Sequence, residues 1–424
     1  MFKYHYKIYD FLKDYLNKYD CVESNLDNKN KSLELIIKSV NNAFNLKYDI
    51  KLLETSKIHK LHTPQEPPLM YLYLKELKIY TGEFKEFVDW YNTNIHKLTI
   101  PQNTDNKYGK ILFVPIPERQ LLHSIYNNPF VCIDIHQEIE TTDIIHEKYI
   151  IDNNHNIDLF LFEHSKIYPD MEKVAKIITV IKTLAKKDYD VNLIIIFSEQ
   201  KKIIKNNTEI LCCNHINSGS TYPTQIITCF RREEFYKVLM HELIHYYQLD
   251  FHFTSNYYKK LEAILDVPDI IGIDRLNESY TESLTILIMS CFMYYYNNFD
   301  KPIKYYINKE IIFSLFQLAK ILKLFGASKF DDYLDKKIII KQHTSVRSYF
   351  FIKTFLLLNL KDFLEFLDDS FYVNNIRLIE FGKLINTSYK QLKDEHKQII
   401  DYFINLKNDN GDIWIVMTSR LSSF

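Results

Sequence analysis

The sequence predicts an α+β protein, a mainly helical chain with a small mixed β-sheet packed on one central helix. Three observations predict it. Glycine occurs only 7 times and proline 11 times in 424 residues, so forced turns are few and long helices are favoured. Between residues 111 and 230 short apolar runs alternate with polar turns, the texture of strands. After Asp250 the apolar spacing is helical throughout.

Taken in order, residues 1–20, 32–46, 69–81 and 83–98 carry helical spacing, which makes 1–100 a helical N-terminal region. Residues 100–110 have the Pro, Asn, Asp and Gly content of a linker. In the sheet-bearing unit, 101–255, strands are expected over 111–116, 130–135 and 158–162, then a helix over 174–187. Residues 192–198 are continuous and β-branched, hence a central strand. Two more strands are expected over 210–215 and 225–230, with a loop at 217–220 between them. The central helix follows, over about 232–249. The helical C-terminal region, 256–424, divides into helices over 256–265, 277–296, 309–325, 345–367, 376–385 and 391–406.

Composition narrows the function classes. Net charge is −1 and the sequence pI is about 6.9, so nothing advertises a nucleic-acid or anionic-membrane partner. The first 20 residues carry charges throughout and lack the apolar core of a signal peptide. The most apolar stretches, 284–296 and 349–360, are too short to span a bilayer. Six cysteines with no C-x-x-C pair read as free thiols of a reducing, cytoplasmic compartment. The Tyr-, Phe-, Ile-, Asn- and Lys-rich bias resembles translation from an AT-rich genome, as in some giant viruses, protozoa and low-GC bacteria. For a viral protein the compartment would be host cytoplasm or virion.

The central helix carries His241-Glu242-Leu243-Ile244-His245. Positions four apart lie on one helix face, so both imidazoles can grip one metal ion while Glu242 reaches a water on it. Downstream, Asn277-Glu278-Ser279-Tyr280-Thr281-Glu282 offers a third ligand, Glu278, and a second carboxylate one turn later. Two carboxylates entering an otherwise apolar helix (Leu284, Ile286, Leu287, Ile288, Met289) need a partner, and a metal supplies one. Zinc accepts such nitrogen and oxygen ligands and keeps one position for water in catalytic sites. The expectation is zinc on His241, His245 and Glu278, with Glu242 as general base. Glu282 would accept the remaining N–H of His241, and Asn277 that of His245. An edge strand at 210–216 or 225–230 would take an extended peptide alongside. The bland reading is a pair of ordinary helix histidines and a surface glutamate capped by Asn277.

H-E-L-I-H followed by N-E-x-x-x-E resembles the gluzincin group of zinc metallopeptidases, the thermolysin-like clan, over roughly residues 190–300. Glu282 stands where the thermolysin-like pattern has Asp. The resemblance implies a zincin-like catalytic core, a Zn2+ cofactor and a peptide or protein substrate cut by zinc-activated water. It also implies a Tyr or His that hydrogen-bonds the oxyanion. His343 and Tyr349 are the candidates, with Arg347 placed to clamp a substrate carboxylate. Two alternatives stay open: an inactive protein whose zinc is structural or serves binding, and a toxin-like effector protease specific for one protein.

Overall fold

A computed structural model of the chain describes residues 16, 18–21, 30–61, 67–94, 100, 107–113, 122, 125, 128, 130–165, 167–204, 208–251, 261, 263–268, 271–272, 275–367, 371–373 and 375–406. The described elements begin with α1 (Lys31–Asn45), β1 (Ile50–Ile58), α2 (Leu69–Glu76), α3 (Phe84–Asn94), α4 (Lys107–Phe113) and α5 (Ile133–Thr141). They continue through β2 (Ile144–Ile151), β3 (His155–Phe162), α6 (Met171–Ala185), β4 (Asn192–Ile196), α7 (Cys213–Ile216), β5 (Gly219–Tyr222) and β6 (Ile226–Cys229). The metal-motif helix is α8 (Phe235–Tyr246), followed by β7 (Ile271–Gly272), α9 (Asn277–Tyr296), α10 (Ile303–Leu324), α11 (Asp331–Leu334) and β8 (Lys341–Gln342). A π-helical turn, Arg347–Ile352, leads into α12 (Lys353–Leu358), α13 (Leu360–Leu367), α14 (Asn375–Lys390) and α15 (Asp394–Ile404).

The α+β class expected from the sequence is the class observed. Six strands form one mixed sheet in the order β1-β2-β3-β4-β6-β5, and β7 and β8 pair separately. β1, β2 and β3 are mutually antiparallel, β3, β4 and β6 are parallel, and β5 returns antiparallel along β6. The hairpin between β2 and β3 turns through Asp152 and Asn153 at φ of 52° and 62°, a left-handed geometry that short polar side chains tolerate. β4 explains its own sequence. Leu193 and Ile195 bury into the apolar cluster shared with α6 and α8, while Ile194 and Ile196 bury into a second cluster with α2 and α5. A strand covered on both faces needs no polar alternation.

α8 sits between the sheet and α9. Its Leu239, Met240, Leu243 and Ile244 are fully buried in the first cluster. α9 is buried on every side from Glu278 to Phe292, the pattern of a helix at the centre of a large domain. Among the described residues no helix is long and apolar enough to cross a membrane.

Several expected elements differ. The N-terminal hundred residues are not wholly helical, because Ile50–Ile58 is a strand whose polar Lys51, Glu54 and Lys57 mask its pairing with β2. Of the strands expected at 111–116 and 130–135, residues 111–113 end helix α4, with 114–116 outside the described residues, and residues 130–135 lead into helix α5. A short apolar run fits a buried helix as well as a strand, and helical spacing continues to the buried Ile139. The sequence does not mark β2 as a strand, because His146, Glu147 and Lys148 interrupt its apolar run. Residues 210–215 form one bridge at Leu211 and the short helix α7, not a strand. The edge strand is neither 210–216 nor 225–230. At this end of the sheet it is Gly219–Tyr222, inside the expected loop and its flank, and β6 lies interior to it. The helix expected over 345–367 is broken at Asn359, whose side chain bonds Asp362 (3.0 Å) and Ser388 (3.1 Å). The helix expected over 1–20 lies outside the described residues apart from 16 and 18–20, as does most of that over 256–265.

Candidate metal centre

The centre is built by two helices that pass antiparallel. On α8, Lys237, His241 and His245 follow one another at four-residue spacing, so they share one face. On α9, Glu278 and Glu282 do the same. The pairing runs as a ladder: Lys237 meets Glu282, His241 meets both carboxylates, and His245 meets Glu278.

Three potential ligand atoms converge. His241 Nε2 lies 3.0 Å from His245 Nε2 and 3.2 Å from Glu278 Oε2, and His245 Nε2 lies 3.3 Å from that same oxygen. Ligands held about 2.0–2.1 Å from a tetrahedral zinc stand about 3.3–3.4 Å apart. The triangle is therefore close to one face of a zinc tetrahedron. Among the described residues these three side chains are the group able to hold an ion.

The outer nitrogens strengthen the fit. His241 Nδ1 is 2.9 Å from Glu282 Oε2, and His245 Nδ1 is 2.7 Å from Asp250 Oδ2. Each carboxylate selects the Nδ1–H tautomer. Both Nε2 atoms then face each other and a carboxylate oxygen, an arrangement that a bound cation would satisfy. The donor set of two imidazoles and one carboxylate suits zinc.

In the metal-free groups the same contacts act as ion pairs. Burial alone would lower both imidazoles, yet His241 is raised by its hydrogen bonds to Glu278 and Glu282, and His245 is raised well above its ordinary value by Asp250 and Glu278. Against its burial, Glu278 is held well below the carboxylate range by His245 and His241. Glu282, also opposed by burial, is held low by Lys237, His241 and Lys353. Glu242 goes the other way. Burial raises it, and the pull of His241, His245 and Thr221 does not cancel that.

Glu242 is framed by the edge strand. Thr221 Oγ1 donates to Glu242 Oε2 at 2.7 Å. Gly219, two residues earlier and on the same face of β5, leaves the space that Glu242 occupies. A Cβ there would stand 2.7 Å from Glu242 Oε1 and 2.8 Å from Val238 Cγ1. Across the centre, the π-helical turn brings Tyr349 to a ring-centroid distance of 6.2 Å from His241. Burial first, then Glu278, Glu242 and Glu282, push its phenol well above the usual range. A π-turn re-aims side chains that a regular helix would direct elsewhere.

Every residue expected in the HExxH and NExxxE motifs is present at the centre, with one rearrangement. Asn277 does not reach His245. Asp250 takes that place, and Asn277 Nδ2 stands 3.1 Å from Asp250 Oδ2 one step behind. Of the later candidates, Tyr349 lies against His241. His343 and Arg347 are positioned through their main chains, donating to Leu211 O (2.7 Å) and Gln342 Oε1 (3.0 Å). Four residues are not apparent from the sequence: Lys237, Asp250, Gly219 and Thr221. Lys237 had a signal, its spacing of four before His241. Asp250 had none, because a left-handed turn at Gln248 (φ 54°) folds it back onto the helix.

No family model matches the chain, and no solved structure matches it. The chain is similar to Uncharacterized protein R210 of Acanthamoeba polyphaga mimivirus, at 27% identity over 201 residues covering 44% of this chain and 49% of that protein. It thus spans about half the length of that relative.

Proposed function

We propose that the protein is a zinc-dependent peptidase of the gluzincin type. The observation that carries this reading is the triangle of His241, His245 and Glu278 ligand atoms, 3.0–3.3 Å apart, with Glu242 beside it. Zinc bound there would supply Lewis-acid activation of water and of a substrate carbonyl. His241, His245 and Glu278 would hold it, and three protein ligands leave a coordination position open.

The chain's own groups divide the remaining work. Glu242, raised by burial, takes a proton from the attacking water and delivers it to the leaving amine. Thr221 fixes the angle of that carboxylate. An extended peptide pairs with the outer edge of β5, the last strand of the sheet. That edge brings the peptide's carbonyl next to Glu242. Tyr349, protonated at every physiological pH, donates a hydrogen bond to the oxyanion. His343 is the second candidate for that donor, and Arg347 the candidate clamp for a substrate carboxylate. Similarity to a mimivirus protein supports the giant-virus source that the composition suggests.

Metal analysis of the purified chain tests the reading, together with cleavage of a mixed peptide library. The expected result is about one zinc per chain and cleavage that Glu242→Gln lowers by about 10²–10⁴-fold with zinc retained. A wild-type chain that takes up no zinc when it is supplied overturns the reading. A full zinc complement, no cleavage of any peptide and no open coordination position would point to a structural site.

A further inference from the structure

We propose that Lys237 is a cationic brace that holds Glu282 against His241 and so sets the metal affinity of the centre. The inference rests on the metal-site reading above and adds the groups behind it.

Glu282 divides its two oxygens. Oε2 faces His241 Nδ1 at 2.9 Å, and Oε1 is in contact with Lys237 Nζ. The lysine meets Oε1 and so leaves Oε2 to the imidazole. Lys237 reaches Glu282 from α8, one turn before His241, and Lys353 adds its charge from the start of α12. Lys237, Glu282 and Lys353 are 2%, 0% and 1% exposed, so bulk solvent does not screen the charge. A carboxylate at that depth keeps its charge only beside cations. With the cations in place it fixes the ring angle and tautomer of His241. The balance continues behind the brace, where Glu234, the residue that opens α8, pairs with the buried Lys202 (2.5 Å).

The geometry leaves Lys237 no access to a substrate, because it lies behind His241 and not in front of it. It is a positioning residue, and its loss should register in metal binding before it registers in chemistry. Changing the partner of a metal-bound histidine typically weakens metal affinity by about 10–100-fold.

The test is competition for zinc between the full chain and a chromogenic chelator, with the visible spectrum of the cobalt-substituted chain as a second readout. Lys237→Met should lose about 10–100-fold in zinc affinity and shift the cobalt bands. Lys237→Arg, which keeps the charge, should recover most of the loss. Wild-type affinity in a folded Lys237→Met chain overturns the brace. If Lys237→Met does not fold, the pair Glu282→Gln and Glu282→Gln/Lys237→Met decides. Equal affinities support a role through Glu282, and a further tenfold loss in the double variant overturns it. A wild-type chain that binds no zinc is a different result, the failure of the metal-site reading itself.

Discussion

Asp250 Oδ2 lies 2.7 Å from His245 Nδ1, although Asp250 stands beyond the end of the metal-motif helix. The left-handed turn at Gln248 folds the chain back, and Asn277 Nδ2, 3.1 Å from the same oxygen, holds it from the facing helix. Each histidine of the motif thus has its own carboxylate, one from each side of the helix pair. Asp250→Ala should weaken zinc binding by about 10–100-fold. A chelator titration of the folded variant checks this, and unchanged affinity would remove Asp250 from the centre.

Gly219 tests the framing of Glu242, the proposed general base. In Gly219→Ala the new Cβ meets Glu242 Oε1 and Val238 Cγ1 inside 3 Å. The carboxylate must turn away from its place beneath Thr221. A displacement of this size costs up to about 10²-fold in rate. Turnover should therefore drop while zinc content stays at the wild-type level, a split that metal analysis and peptide cleavage on one sample will reveal.

Tyr349→Phe removes the phenol that faces His241 and Glu278. As the proposed oxyanion donor it should lower kcat by about 10²–10³-fold with little change in KM. A KM effect alone would assign Tyr349 to substrate binding instead.

The depressed carboxyls make the metal-free protein acid-sensitive. Glu282 and Glu278 titrate below their ordinary value of 4.5 in the folded chain. The sign follows from linkage. The stability they confer is fully present above about 4.5, the unfolded value, and is lost as pH falls through their folded values. Urea unfolding of the chelated protein should show a midpoint that declines below pH 4.5, and Glu282→Gln should flatten that decline. A midpoint independent of pH in this range would count against the ionised pair.

Much of the centre is legible in the sequence. His241, Glu242, His245, Glu278 and Glu282 all lie on long helices, where spacing alone says which residues share a face. Asn277–Tyr296 is a helix over the same bounds that its pattern predicts. The sheet is less legible. Gly219–Tyr222 reads as a loop because Gly, Ser and Thr carry turn chemistry, yet pairing with Ile226–Cys229 makes it the edge that frames Glu242. Ile50–Ile58 and Ile144–Ile151 carry charges on faces that only their neighbours reveal as solvent-facing or covered.

The sequence by itself therefore determined the α+β class, the long helices and the five motif residues. Which motif residues share a face depends on spacing within each helix, and a period of 3.6 residues makes that spacing local. Tertiary structure alone decided that Asp250 serves His245, that Lys237 meets Glu282, that Thr221 holds Glu242, and that Tyr349 faces His241. Each of those pairs depends on where one element lands on another. That placement is set by the burial of apolar faces across the whole core, and no local spacing encodes it.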